Sequence, residues 1–177
     1  MLFFLSFLLL FEKDLILPSL LAAAFHECGH LLFARLLRVP ISELSLDLFG
    51  ARITVSSGLI SYGSEFLLAL AGPLFSFLLA SLIQVPLGSF LSSLKEASLF
   101  LGALNLLPIR GFDGGRMLTS FVLRFFSPSV ATFLDRLLTG AFLIFLWGIS
   151  VYLLLVKSGG LPLFVFSVGV FSKIFLA

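Results

Sequence analysis

The chain has 177 residues, of which 60% are hydrophobic and only 11% charged, with a formal net charge of +2. Soluble domains carry about 25% charged residues, so this composition, with a mean hydropathy of +1.22, places the chain in a lipid bilayer. The small net charge includes no basic cluster suited to nucleic acid, and a single cysteine, Cys28, excludes an internal disulfide.

No linker, tail or fixed-period repeat divides the sequence, so residues 1–177 read as one domain. A bilayer core of about 30 Å requires roughly 20 apolar residues per crossing helix. On that criterion six membrane segments are predicted. Met1 to Phe11 is the first, a short one that is apolar but lacks the basic start and small-residue cleavage site of a removable signal peptide. Glu12-Lys13-Asp14 is read as a turn, and Leu15 to Leu37 as the second segment.

Ile41 to Gly63 breaks the apolar run. Leu44, Leu46 and Leu48 alternate with Glu43, Ser45 and Asp47, and Ile53 and Val55 with Arg52, Thr54 and Ser56. This period of two, with Phe49-Gly50 as a turn, predicts a β-hairpin at the membrane surface. Glu65 to Val85, Ser92 to Leu107, Asp135 to Val156 and Leu161 to Leu176 complete the six segments. Arg116 to Phe126 is expected as a short amphipathic helix lying at the surface and ending near Pro128. The expected fold class is an all-α polytopic membrane protein with about six transmembrane helices and that small hairpin between the second and third.

Basic residues orient the scheme. With both termini cytoplasmic, Arg35, Arg38, Arg52, Arg110, Arg116, Arg124, Arg136 and Lys173 fall on the cytoplasmic side, and Lys13, Lys95 and Lys157 on the other. That asymmetry follows the positive-inside tendency.

The second segment holds the chemistry. His26-Glu27-Cys28-Gly29-His30 contains the only two histidines of the chain. Four residues apart on a helix, both imidazoles project from one face, one turn apart. This is the H-E-x-x-H arrangement, two zinc ligands with a glutamate, Glu27, as candidate general base. Cys28, about 200° around the helix from His26, points away and is read as a packing residue.

Catalytic zinc takes three protein ligands and leaves a position for water. No third histidine exists, and seven of the nine acids sit at predicted ends or in loops, which leaves Asp113 besides Glu27. Asp113 follows Pro108, which interrupts the helix ladder, and is surrounded by Gly111, Gly114 and Gly115, which let backbone approach a site closely. Irregular backbone at membrane depth persists only where it is packed in protein or lines a wet cavity, and an acid there is a functional candidate. The plainer reading of Asp113 is a helix cap after a glycine turn.

These residues resemble the site-2 proteases, a family of zinc intramembrane metalloproteases. That family pairs H-E-x-x-H on one membrane helix with N-x-x-P-x-x-x-x-D-G on a later one. Asn105, Pro108, Asp113 and Gly114 occupy all four fixed positions of the second motif, and Ala71-Gly72-Pro73 matches the small-Gly-Pro start of the intervening helix. The resemblance covers about Leu15 to Phe126. No PDZ-like insertion fits between Pro73 and Asn105 and no domain is expected after Ala177, as in the compact subgroup that includes the sporulation protease of spore-forming bacteria. Two departures stand out: Ser76 where the family often has Asn, and Phe112 where leucine is usual.

The resemblance implies Zn2+ held by His26, His30 and Asp113, Glu27 as the base, and Asn105 hydrogen-bonding the substrate backbone or oxyanion. It implies a multi-pass protein of a bacterial cell membrane that cleaves single-pass or membrane-associated protein substrates to release a regulatory fragment. It leaves room for a separate inhibitory or regulatory membrane subunit, and it involves no nucleic acid. Two other functions compete: a catalytically silent membrane adaptor of the same fold, against which the retained Glu27 argues, and a metal transporter. A transporter needs polar residues through the whole membrane depth, and the outer halves of the segments have almost none.

Overall fold

The computed structural model describes residues 13–39, 41–47, 50–55, 60–84, 90–156 and 161–175. They form helix α1 (Lys13–Leu36), strands β1 (Ile41–Asp47) and β2 (Gly50–Val55), and helices α2 (Tyr62–Leu82), α3 (Phe90–Asn105), α4 (Asp113–Phe125), α5 (Pro128–Val156) and α6 (Leu161–Phe175). The first expected segment, Met1 to Phe11, lies outside the described residues.

Helix α1 already includes Lys13 and Asp14, read from sequence as a turn. Charge alone does not stop a helix, and the helix also runs through Pro18, near its start. Its other end is a Schellman stop. Arg38 adopts φ 52°, Val39 N–H donates to Ala34 O at 2.9 Å and Arg38 N–H to Arg35 O at 3.2 Å. The accompanying apolar contact is present too, because Val39 and Ala34 pack together with Leu68 of α2.

β1 and β2 pair antiparallel, with Asp47 opposite Gly50 and Leu44 opposite Ile53. An irregularity between Ile41 and Glu43 shifts the register at the open end.

Helix α2 begins three residues before the expected Glu65, because Ser61 caps it: Ser61 Oγ accepts from Ser64 N–H at 3.1 Å. Helix α5 begins at Pro128, two turns before the expected Asp135. A proline read as the end of the preceding helix is also the favoured first residue of the next, and the Ser127 carbonyl accepts from both Val130 and Ala131 N–H. The expected amphipathic helix at Arg116 is α4, and it starts earlier, at Asp113.

Three described helices are long and apolar enough to cross a membrane: Leu15–Leu36, Tyr62–Leu82 and Pro128–Val156. The expectation of six does not carry over by length. α3 has 16 residues and α6 has 15, each about 24 Å or less at 1.5 Å per residue.

Packing is inverted relative to a soluble domain. Small residues fill the interior: Ala22, Ala23 and Ala34 of α1, and Ala69, Ala71 and Ala80 of α2 are almost fully buried. Large apolar side chains face outward, Ile144 at 72% and Leu155 at 81% exposure. Small residues let helix backbones approach closely, and an apolar exterior of this extent suits lipid rather than water. Helices α1, α2 and α3 pack mutually, α4 lies against α2, and α5–α6 form a pair that meets the rest through α4 and the segment 106–112 before it.

Candidate metal centre

Between α3 and α4 the chain forms a strap, 106–112. Pro108 has no N–H to continue the helix, Ile109 N–H turns back to Leu107 O at 2.7 Å, and Phe112 N–H to Ile109 O at 3.0 Å. Gly111 adopts φ 90°. A Cβ on Gly114 would lie 2.1 Å from Leu106 O, so only glycine lets the first turn of α4 seat on the strap backbone. This seating brings Asp113, 87 residues from His26 in sequence, against the histidine face of α1.

The cap of α4 is Phe112, without a side-chain cap bond, and Asp113 is its first helical residue. Its carboxylate is therefore not consumed in capping, which disposes of the plainer reading. Asp113 Oδ2 lies 3.1 Å from His26 Nε2 and 3.3 Å from His30 Nε2, and the two Nε2 atoms are 3.2 Å apart. All three residues are buried.

The other ring nitrogens fix how these atoms meet. His30 Nδ1 lies 2.8 Å from Leu68 O. A carbonyl can only accept, so Nδ1 carries the proton, and in the neutral imidazole the Nε2 lone pair faces Asp113. His26 Nδ1 lies 2.8 Å from Ser76 Oγ, and with Nδ1 as the donor its Nε2 likewise presents a lone pair. Two imidazole lone pairs and a carboxylate oxygen then converge with no donor among them. That arrangement is repulsive until a cation occupies the middle. Tetrahedral zinc with bonds of about 2.0–2.1 Å separates its ligand atoms by about 3.3 Å, close to the three distances seen. The group His26, His30 and Asp113 can hold a metal ion.

The space for that ion depends on Gly72. A Cβ there would lie 2.2 Å from His30 Nε2 and 2.5 Å from His26 Nε2. Glu27, on the same helix as the histidines, is half-buried and close enough to His30 to act on it electrostatically. Cys28 is exposed on the opposite side of the helix. Asn105 ends α3, and its Nδ2 donates to Leu101 O at 3.0 Å within its own helix. It is thus placed at the strap but is not bonded to the three clustered side chains.

Several residues at the centre were not assigned a role from sequence. Ser76, noted only as a departure, is fully buried on His26. Glu65, read as a helix end, accepts from Arg116 Nε at 3.1 Å and Nη2 at 2.7 Å, and Arg116 Nη1 lies 3.9 Å from Asp113 Oδ1. Arg110, placed on the cytoplasmic side from sequence, is paired with Asp135. An open groove of about 460 Å³ runs past Ile60, Tyr62, Glu65, Arg110, Arg116 and Asp135.

No family model matches the sequence and no curated protein matches it. Among solved structures, the site-2 protease from Methanocaldococcus jannaschii is similar, with a TM-score of 0.71 over 95% of this chain and 84% of that one, at 22% sequence identity. At this identity the likeness speaks for the architecture, and the conclusion is one of architecture: the chain has the fold of a site-2 protease.

Proposed function

We propose that the protein is a zinc-dependent intramembrane endopeptidase. The observation that carries this reading is the convergence of His26 Nε2, His30 Nε2 and Asp113 Oδ2 at 3.1–3.3 Å, from two helices far apart in sequence, with Glu27 alongside. His26, His30 and Asp113 hold the metal. Zinc at such a site supplies a Lewis acid that polarises a peptide carbonyl and lowers the pKa of water toward about 7.

The chain's own groups do the remaining work. Glu27 takes a proton from the attacking water as its oxygen adds to the scissile carbonyl carbon. It then delivers that proton to the amine nitrogen as the C–N bond breaks. Asn105 leaves Leu101 O and turns its amide to the substrate backbone or oxyanion, where one donor is typically worth about 3 kcal/mol. The buried centre limits access of bulk water. A helical substrate hides its peptide carbonyls in hydrogen bonds, so it must unwind to be cut. The two-stranded sheet of β1 and β2 offers an edge to which such an extended segment can add.

Substrates on this reading are single-pass or membrane-associated proteins, cut to release a regulatory fragment. The protein is a multi-pass component of a bacterial cell membrane with cytoplasmic termini. Glu27→Gln is expected to retain zinc and lose at least 100-fold in cleavage, the lower range for a general base, whereas Asp113→Ala loses the metal. Metal analysis of purified variants beside a cleavage assay in detergent checks both. A fully active Glu27→Gln protein overturns the reading, and zinc bound without any proteolysis favours a silent adaptor.

A further inference from the structure

Helix α2 contributes no metal ligand, yet it partners both imidazoles directly and reaches Asp113 through Arg116 of α4. Leu68 O accepts from His30 Nδ1 at 2.8 Å. Ser76 Oγ lies 2.8 Å from His26 Nδ1, both fully or nearly fully buried. Glu65 takes two N–H bonds from Arg116, whose third nitrogen faces Asp113 Oδ1 at 3.9 Å, on the carboxylate oxygen turned away from the imidazoles. Gly72 sits between these, and its missing side chain is the space beside both Nε2 atoms. Residues 65, 68, 72 and 76 are spaced three, four and four apart. At 100° per residue they fall within an arc of about 80°, a single stripe on one helix.

We propose that this stripe of α2, Glu65–Leu68–Gly72–Ser76, is the positioning element of the metal centre, with Ser76 and Glu65 as its side-chain positioning residues. The inference rests on the proposed metal site and says what makes it rigid. A histidine ligand is held in tautomer and direction by the partner of its other nitrogen. For His30 that partner is backbone, beyond the reach of side-chain substitution. For His26 it is the Ser76 hydroxyl alone among the contacts seen. For Asp113 it is a relay, in which Glu65 pins Arg116 and the Arg116 charge stands 3.9 Å from Oδ1, with Oδ2 left to the metal. Because both imidazole partners and the carboxylate that pins Arg116 belong to α2, a rotation or slide of α2 would disturb the three ligands together.

The test is binding of zinc, and of Co2+ as a spectroscopic stand-in, to the full chain in detergent. The variants are Ser76→Ala, Glu65→Ala and, as a control, Leu78→Ala on the opposite, exposed face of α2. Ser76→Ala is expected to weaken zinc 10- to 100-fold in competition with a chelator and to alter the visible Co2+ absorption. Glu65→Ala, acting through Arg116, is expected to weaken it several-fold, and its half-exposed position keeps the test available should the Ser76 variant not fold. Leu78→Ala leaves affinity and spectrum unchanged. Wild-type affinity and an unchanged Co2+ spectrum in both variants would overturn the role of α2 while leaving the metal site standing. A wild-type chain that binds no zinc at all removes both.

Discussion

At the residue scale, the centre is shaped as much by an absent side chain as by those present. Gly72 faces the gap into which both Nε2 atoms point, and a methyl group there would lie 2.2 Å from one of them, well inside van der Waals contact. Gly72→Ala is therefore expected to abolish metal binding while the helices still assemble. Zinc stoichiometry near zero with a helical circular dichroism spectrum like wild type would show it, and full zinc occupancy would contradict it. Asp113 makes the complementary point. An aspartate at a helix start ordinarily caps it, but here Phe112 holds the cap position, and the carboxylate is left for the histidines. Helix N-termini also favour a negative charge, so Asp113 remains ionised and competent as a ligand without leaving its helix.

At the element scale, two helix ends set where the ligands fall. α1 must stop soon after His30 so that the chain can turn into the hairpin, and it does so with Arg38 in a left-handed conformation. That conformation costs a residue with a Cβ about 1 kcal/mol or more. Arg38→Gly is expected to relieve it and stabilise the protein by up to about 1 kcal/mol, read as a raised unfolding midpoint in detergent. A lowered midpoint would mean that the arginine side chain contributes more than its backbone strain. The α5–α6 pair is joined by Ser150 Oγ and Ser167 Oγ at 3.1 Å, both buried. Interhelical bonds of this kind average about 0.6 kcal/mol in membrane proteins. Ser150→Ala is thus expected to cost well under 1 kcal/mol, and a larger loss would point to a role beyond holding the pair. Sequence periodicity located the hairpin strands and the long helices well, because alternation and apolar runs are local signals. It missed the starts of α2 and α5, where the deciding signals were single residues, Ser61 as a cap and Pro128 as a first helical residue, of a kind that also fits a loop.

At the scale of the whole molecule, the strap is the joint. It carries Asp113 toward α1 on one side and inserts Ile109 among Leu143, Phe166 and Val170 of α5 and α6 on the other. Two polar contacts reinforce it: Arg110 N–H to Thr139 Oγ1 at 3.0 Å and the Arg110–Asp135 ion pair. Magnitudes decide which matters. Half of the Arg110 side chain is exposed, and such pairs contribute about 0–1 kcal/mol. Ile109 is fully buried, and truncating a buried isoleucine costs about 2–5 kcal/mol. Ile109→Ala is expected to lower the unfolding midpoint far more than Asp135→Asn, and the reverse order would assign the joint to the ion pair.

The sequence by itself determined the chemistry available: two histidines one helical turn apart, a glutamate between them, and one aspartate in a Gly/Pro-broken stretch, all in an apolar chain. Those are matters of residue identity and short spacing, which local geometry converts directly into shared helix faces. Only the tertiary structure decided that Asp113 reaches the imidazoles, that Asn105 rests on its own helix, and that α2 partners both imidazoles and pins the arginine beside Asp113. Contacts across 38 to 87 residues depend on how helices cross. Small residues scattered through the sequence set those crossings, and no local pattern announces which of them will face one another.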